Sequence, residues 1–172
     1  RTIGGLGFRP DLVWAKNRQR SQDHLLWDSV RGAGANLRPN ITDAEALNTN
    51  GLSGFTDDGF SLGTSGEGNW PSENYVAWCW KAGNGTVENG DGTIPSTVSV
   101  NQDAGFSIVS YEGTAQANST VGHGLGVKPD LIIIKNREEG AAYWSVIHSA
   151  ISMSSTSDTN IVYLNVTNAA SD

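Results

Sequence analysis

The chain has 172 residues, 37% hydrophobic and 17% charged residues, 21 glycines and a formal net charge of -7. This length allows one large domain or two small ones, and this composition favours many turns and few long helices. The acidic balance disfavours nucleic acid as a partner, the lack of any run of about 20 apolar residues disfavours membrane insertion, and the single cysteine, Cys79, excludes an intrachain disulfide.

The first half of the chain is dominated by strand patterns. Apolar runs predict strands at residues 12–15 and 25–27, and residues 75–80 alternate in the way typical of a strand. Residues 55–60 predict a hairpin, with Asp-Gly in the turn and phenylalanine on both arms. The only helix prediction is one or two turns at residues 42–47, capped by Thr42.

The second half shows the same character. Strands are predicted at residues 105–111 and 143–147, and the run Leu-Ile-Ile-Ile at 131–134 predicts a strand that is buried on both faces. Short strands separated by Gly-rich turns are typical of sandwiches and jelly rolls. We therefore predict an all-β chain with little helix, arranged as tandem, jelly-roll-like β-sandwich domains.

An internal repeat organises the chain. Residues 5–18 and 124–137 are identical at nine of fourteen positions, and the similarity continues weakly into residues 24–29 and 144–149. Because the spacing is about 120 residues, the repeating unit is a whole domain rather than a solenoid turn. The predicted organisation is a first repeat domain at 1–83, a Gly-rich linker at 84–103 and a second repeat domain at 104–172.

The two copies are cut at different points. The strand at 105–111 has its expected counterpart before Arg1, so the first domain is predicted to lack its N-terminal strand. The segments 59–62 and 75–80 have no counterpart before Asp172, so the second domain is predicted to be incomplete at its C-terminus. These features indicate a piece of a longer tandem array.

Catalytic patterns are weak in this sequence. The three histidines (His24, His123 and His148) lack the spacing of metal ligands, and no nucleophile elbow or phosphate-binding loop occurs. Carboxylate pairs such as Asp57 and Asp58 could in principle perform acid–base work in a glycosidase, but turn chemistry explains them as well. We predict that the chain is not an enzyme and needs no cofactor.

Two weaker binding features remain. Residues 89–92 resemble part of a calcium loop, although the following ligands and the closing glutamate are missing, so a surface Ca²⁺ is the one candidate ion. Trp70 lies in a predicted loop, where an indole with polar neighbours is suited to stacking on a sugar. The candidate ligand contacts are Trp70, Asn69, Asp57 and Asp58. Tryptophans on predicted strands (Trp14, Trp27, Trp78 and Trp80) are interpreted as core residues.

Long motifs in the chain resemble a known family. They cover residues 5–18, 27–33, 55–63, 75–83, 105–111 and 121–126. Together they resemble a repeated domain of unknown function that is found in tail-fibre-like virion structural proteins of marine bacteriophages. The resemblance implies a virion context and a tandem β-domain architecture, and it transfers no catalytic residue. The second copy departs from the pattern at residues 145–148.

These observations favour a non-enzymatic virion structural protein. The expected place is a tail fibre or a capsid fibre or decoration, with adhesion to the host surface as a further role. The expected partners are other copies of the chain, with a trimer as one form, other virion proteins and a host-surface glycan. The alternatives are a carbohydrate-binding module and a bacterial surface adhesin domain. A glycan-cleaving depolymerase would require two opposed carboxylates in a cleft.

Overall fold

The computed structural model describes residues 1–151 and 161–167. Within these residues the chain forms short strands and one four-residue helix, which confirms the prediction of an all-β chain with little helix. The strands are β1 (Thr2–Ile3), β2 (Leu12–Asn17), β3 (Leu25–Asp28), β4 (Ala35–Asn36), β5 (Ala46–Leu47), β6 (Leu52–Thr56), β7 (Gly59–Leu62), β8 (Tyr75–Trp80), β9 (Val87–Asn89), β10 (Ser96–Asn101), β11 (Phe106–Tyr111), β12 (Leu131–Ile134), β13 (Ser145–His148) and β14 (Val162–Tyr163). Helix α1 (Gly66–Asn69) lies between β7 and β8.

The strands assemble into several small antiparallel sheets. Their strand orders are β3-β2-β8, β1-β7-β6, β11-β10-β9, β12-β13-β14 and β4-β5. In the described part of the chain no sheet exceeds three strands. Two broad facing sheets would be needed for a jelly roll, so the finer prediction of tandem jelly-roll sandwiches is not confirmed.

The hydrophobic core lies between two sheets of the first half. Strand β2 alternates, so that Val13 and Ala15 are buried while Trp14 lies on the opposite face. The buried side chains pack with Trp27 of β3 and with Leu52 and Phe60 of the β6–β7 hairpin. Only one face of β2 is therefore covered by the core.

The predicted hairpin at 55–60 is confirmed. Phe55 and Phe60 are direct cross-strand partners, and Asp57 and Asp58 form the turn. Gly59 starts β7, where a Cβ atom would lie 1.9 Å from the carbonyl oxygen of Ile3. Gly59 is thus required because β1 passes directly against the backbone of β7.

The hairpins β2–β3 and β12–β13 contain equivalent hydrogen bonds. Ser29 N–H donates to the Asp11 carbonyl and Ser149 N–H to the Asp130 carbonyl, both at 2.8 Å. The hydroxyl groups of the same serines donate to the carboxylates of the same aspartates, at 2.8 and 2.6 Å. Asp11 is buried and Asp130 is exposed, so the same local geometry occurs in two different environments.

The glycine-containing turns that precede these two hairpins also have similar backbone conformations. Gly5 and Gly7 have φ of 91° and 73°, and Gly124 and Gly126 have φ of 74° and 73°. These values lie in the left-handed region that glycine adopts without a steric penalty. The sequence similarity between 5–18 and 124–137 is therefore accompanied by similar backbone conformations.

The segment predicted as a linker, 84–103, contains two strands. Strand β10 pairs with β9 on one side and along its full length with β11 on the other. Ile94 and Val98 are buried. The β-branched residues of 96–100 favour a strand in spite of the glycines around them. The division into two repeat domains stays a prediction, and residues 152–160 and 168–172 of the predicted second domain lie outside the described residues.

Two local predictions are wrong. Residues 42–47 form no helix, because Ala46 and Leu47 make strand β5, which pairs with β4. The run at 131–134 is not buried on both faces: the side chains of β12 are 36 to 52% exposed. An apolar run shows that a strand prefers burial, but it does not show what covers the strand.

Glu45 connects the two halves of the chain. Its carboxylate accepts hydrogen bonds from Arg31 at 2.8 Å and from Arg137 at 2.7 and 3.0 Å. Trp144 adds a second link, since its Nε1 donates to the carbonyl of Arg38 at 3.2 Å. Burial acts to raise the pKa of Glu45, but the hydrogen bonds and charges of Arg137 and Arg31 outweigh it and lower the pKa below its ordinary value.

Replacing Glu45 with glutamine is expected to lower the free energy of unfolding by about 2 kcal/mol at neutral pH, because charged hydrogen bonds are lost. Since the folded-state pKa is lowered, the stability that this carboxylate contributes is present above its ordinary pKa of 4.5 and is lost as the pH falls below it. Urea denaturation at several pH values measures both effects. If the difference in unfolding free energy between Glu45→Gln and the wild type does not decrease at acidic pH, the stabilising role of the Glu45 carboxylate is contradicted.

Candidate functional site

Two of the predicted ligand residues, Asp57 and Asp58, lie in the β6–β7 turn. The Asp58 carboxylate accepts the backbone N–H groups of Gly5 at 2.7 Å and Gly7 at 2.6 Å. These two bonds lower the pKa of Asp58 below its ordinary value. Asp58 therefore holds the glycine turn in place, while the Asp57 side chain is exposed and makes no hydrogen bond to any described residue.

The other two predicted residues, Asn69 and Trp70, lie at the end of α1. Asn69 Nδ2 donates to the carbonyl of Gly63 at 3.0 Å. The Trp70 ring is 39% exposed, but the Arg20 guanidinium lies over it at 4.8 Å from the ring centroid. Asp57 and Asp58 thus belong to the β6–β7 turn and Asn69 and Trp70 to the end of α1, and no hydrogen bond among the described residues joins the two pairs.

A different group of aromatic side chains forms the most distinctive surface of the chain. Trp14, His24, Trp78 and Trp80 line an open, almost wholly apolar depression of about 270 Å³ on the outer face of the β3-β2-β8 sheet. Trp14 and Trp78 are direct cross-strand partners, and Trp80 follows two residues along β8 on the same face. We call these four residues the aromatic surface.

The tryptophans of the aromatic surface each pack against another aromatic ring. Trp14 and Trp78 meet edge to face with centroids 6.2 Å apart, and Trp80 stacks on Phe106 at 6.4 Å. Trp78 is nevertheless 46% exposed and Trp80 38%. Clustered exposed aromatic side chains mark interaction sites, and flat indole faces with N–H groups suit ligands that are apolar on one side and polar at the edges.

His24 is fixed at one edge of the aromatic surface. Its Nδ1 accepts a hydrogen bond from Trp14 Nε1 at 2.9 Å, and its backbone N–H donates to Asn40 Oδ1 at 2.8 Å. Burial and the nearby charge of Lys16 lower the pKa of His24, against a smaller opposite effect of Asp23. The lowered pKa favours the neutral imidazole, which is the state that an accepting Nδ1 requires.

A polar depression adjoins the aromatic surface and shares His24 with it. This depression, of about 660 Å³, is lined by residues 16–24, which run from the end of β2 through the loop before β3, and by Asn40. An apolar platform beside a polar rim is a common arrangement of small-ligand sites. The site offers stacking and hydrogen bonding, and it contains no pair of opposed carboxylates.

Protonation of His24 is expected to destabilise the folded chain. Because the folded-state pKa is lowered, the unfolded state takes up the proton first, so stability is complete above the ordinary pKa of 6.5 and is lost as the pH falls from there through the folded pKa. Urea denaturation between pH 7.5 and 5 measures this loss. His24→Asn keeps an acceptor for Trp14 and does not titrate, so an unchanged pH dependence in this variant would contradict the assignment.

The sequence does not reveal the aromatic surface, because tryptophans on predicted strands are expected to be core residues. Trp27 is buried as predicted, with 1% exposure, but Trp78 and Trp80 are not. A usable signal was present: Trp14 shares its face of β2 with Lys16, two residues on. A lysine on the same face of a strand indicates that this face meets solvent.

The predicted calcium segment shows a local turn. Asn89 Oδ1 accepts the backbone N–H of Asp91 at 2.8 Å. Among residues 1–151 and 161–167, no group of three or more His, Cys, Asp or Glu side chains is placed to hold a metal ion. In the same residues, no helix has the length and apolar character needed to cross a membrane.

The fold and the aromatic surface define a chain of small antiparallel sheets that presents tryptophans to solvent. All 172 residues, 1–172, match the family described as Domain of unknown function (DUF7483), and the chain belongs to that family. No curated protein and no solved structure matches the chain. Since the family description states no activity, the site geometry is the basis for assigning a function.

Proposed function

We propose that this chain is a non-enzymatic, glycan-binding module of a phage virion structural protein. The aromatic surface is the observation that carries the binding role. The motifs at 5–18 and 75–83, which resemble repeated domains of tail-fibre-like proteins, support the virion context. The expected location is the particle surface, on a tail fibre or as a capsid fibre or decoration.

The chemistry of the aromatic surface favours a sugar. The C–H faces of a pyranose stack on indole rings, and the indole N–H groups can donate hydrogen bonds to hydroxyl groups at the edge of the sugar. Residues 16–24 and Asn40 supply donors and acceptors for hydroxyl groups beside the aromatic surface. Such a site binds weakly by itself, and many copies on one particle would raise the overall affinity through avidity.

Tandem duplication is part of the same proposal. The hydrogen bond between Asp11 and Ser29 and the equivalent bond between Asp130 and Ser149 support the duplication. The similar turns at Gly5–Gly7 and Gly124–Gly126 support it as well. A repeated β-domain is a natural way to build an elongated fibre. Self-association, with a trimer as the expected form, and contacts with other virion proteins follow from a fibre role. The formal charge of -7 disfavours nucleic acid.

A carbohydrate-binding module or bacterial adhesin domain is the second candidate. The aromatic surface supports it equally, because the stacking chemistry is the same. The two candidates differ only in the particle or cell that carries the chain. Labelling the native source with antibodies under the electron microscope separates them: label on fibres or capsids supports the proposal, and label on cells without particles contradicts the virion role.

Trp78→Ala is expected to weaken glycan binding about tenfold or more, because the exposed stacking ring is lost. The measurement is binding to a glycan array that carries host-surface polysaccharides, followed by titration of the best ligand. Trp70→Ala is the matched control, since Trp70 is similarly exposed but lies under Arg20. Loss of binding in Trp70→Ala alone would move the site to α1, and unchanged binding in both variants would reject both sites.

A further inference from the structure

The outer face of the β3-β2-β8 sheet changes from apolar to cationic along β2. Lys16 follows Trp14 by two residues, so both side chains lie on the same face, about 7 Å apart along the strand. Lys16 and His24 line the polar depression, and His24 also lines the aromatic surface. Burial first, and then the charge of Lys16, lower the pKa of His24. The positive charge of Lys16 therefore acts at the edge of the aromatic surface.

The polar depression carries an excess of positive charge, although the whole chain has a formal net charge of -7. Its lining includes one carboxylate, that of Asp23, and three cationic side chains: Lys16, Arg18 and Arg20. The Asp23 carboxylate already accepts a hydrogen bond from Asn40 Nδ2 at 2.7 Å. An anion that approaches this part of an acidic chain therefore meets a local cluster of cations.

Two of these three cations remain available to a ligand. Arg20 Nε donates to the Glu73 carboxylate, so the charge of Arg20 is already paired. Lys16 Nζ donates to the carbonyls of Asn17 at 2.7 Å and Arg20 at 3.2 Å, and an ammonium group with three donors keeps one more. Among the described residues, neither Lys16 nor Arg18 forms an ion pair.

The turn that presents Arg18 is held in place. Asn17 is buried, and its Oδ1 accepts the backbone N–H groups of Gln19 at 2.8 Å and Arg20 at 2.9 Å. The backbone N–H of Arg18 donates to the carbonyl of Asn74 at 2.9 Å, while its side chain is exposed. A guanidinium on a fixed backbone loses less conformational freedom when it binds a ligand.

The equivalent turn in the second half shows what an arginine in this position binds. Both turns contain the same hydrogen bonds from the asparagine side chain to the backbone. Arg137, which matches Arg18 in the repeat, binds the Glu45 carboxylate through Nε at 3.0 Å and Nη2 at 2.7 Å. Paired bonds of this kind are how arginine recognises a carboxylate. Ile133 stands there in place of Trp14, so only the first half combines this turn with an aromatic surface.

We infer that the glycan bound at the aromatic surface is acidic, with Lys16 and Arg18 binding a carboxylate of the sugar whose rings stack on Trp14 and Trp78. This inference rests on the proposed glycan-binding function. A neutral sugar would cover the tryptophans but leave both cations without a charged partner. A protein carboxylate alone would pair with Arg18 but leave the tryptophans uncovered. A sugar that bears a carboxylate satisfies both parts of the site.

A glycan array of matched pairs tests the inference. Each oligosaccharide that contains uronic or sialic acid is printed beside the same oligosaccharide after reduction of its carboxyl groups to alcohols, and sulfated glycans are paired with their desulfated forms. We expect the chain to bind a carboxylated glycan at least about tenfold more tightly than its reduced form. This ratio should fall as the salt concentration is raised, because salt screens exposed charges.

Two variants of equal charge change separate the site from the overall charge. Arg18→Gln is expected to lower the affinity for the carboxylated glycan about fivefold and to leave the affinity for the reduced form unchanged. Lys128→Gln removes the same charge from an exposed position that lines neither depression, and we expect it to leave both affinities unchanged.

The outcomes distinguish this inference from the proposed function. Equal binding of the carboxylated and reduced forms, binding confined to sulfated glycans, or equal effects of Arg18→Gln and Lys128→Gln would overturn the inference and leave glycan binding in place. Binding of no glycan would overturn both. A peptide of residues 41–49, which carries Glu45, is the control for a protein carboxylate: binding of this peptide that exceeds the binding of every glycan and is lost in Arg18→Gln would also overturn the inference.

Discussion

Replacing Asp11 with alanine is expected to lower the free energy of unfolding by about 4 kcal/mol, because a buried and fully used acceptor is removed. The Asp11 carboxylate is completely buried and accepts hydrogen bonds from Ser29 Oγ and from the backbone N–H groups of Ala82 and Asn84. The Ala82 N–H lies in a buried position and would lose its partner. Chemical denaturation followed by tryptophan fluorescence measures the loss.

Asp130→Ala is the matched control for Asp11→Ala. Asp130 makes the same hydrogen bond to a serine hydroxyl, Ser149, but is exposed. Water can replace the lost acceptor, so the expected loss is below about 1 kcal/mol. Similar losses of unfolding free energy in the two variants would show that Asp11 stabilises the chain mainly through its hydrogen bond within the hairpin. The buried hydrogen bonds to the residues after β8 would then contribute little.

Trp27→Ala is expected to cost about 4 kcal/mol, because it leaves a large cavity in the core. The Trp27 ring is 1% exposed and packs with Val13 and Leu52. Its six-membered ring also approaches Gly51 and Gly68, where an added Cβ would lie 3.5 and 3.7 Å away. Chemical denaturation at neutral pH measures the loss.

Two controls sharpen the test at Trp27. Trp27 Nε1 is buried and has no hydrogen-bond partner among the described residues, so Trp27→Phe removes an unsatisfied donor along with some ring volume, and we expect a cost of only about 1 kcal/mol. Trp78→Ala removes a half-exposed ring and its contact with Trp14, and we expect a cost of about 1 kcal/mol, well below that of Trp27→Ala. A large loss in Trp27→Phe would mean that the indole N–H contributes to stability.

The elements that sequence predicted correctly are those with a local cause. The alternation of β8 and the Asp-rich turn between Phe55 and Phe60 depend on residues within a few positions of one another. The correspondence of residues 5–18 and 124–137 is likewise visible as a pattern. Each of these features can be recognised without knowing which distant segment packs against it.

The elements that sequence could not predict depend on long-range packing. Alternation places Trp78 and Trp80 on one face of β8 but does not say whether that face meets the core or solvent. The same limit applies to β12, whose apolar run indicated burial on both faces. Residues 42–47 have helical propensity, yet the pairing of Ala46 with Asn36 in the β4–β5 ladder prevails, as tertiary contacts often override weak local preferences.

The edge-to-face contact of Trp14 and Trp78 has an optical consequence. Two indoles at 6.2 Å with planes inclined by 72° are close enough for their electronic transitions to couple. Coupled chromophores give paired circular dichroism bands of opposite sign, which overlap the far-ultraviolet signal used to estimate secondary structure. Standard deconvolution of the spectrum would therefore give a wrong strand content for this chain. The same bands would change when a ligand binds to the aromatic surface, so they provide a label-free signal for binding.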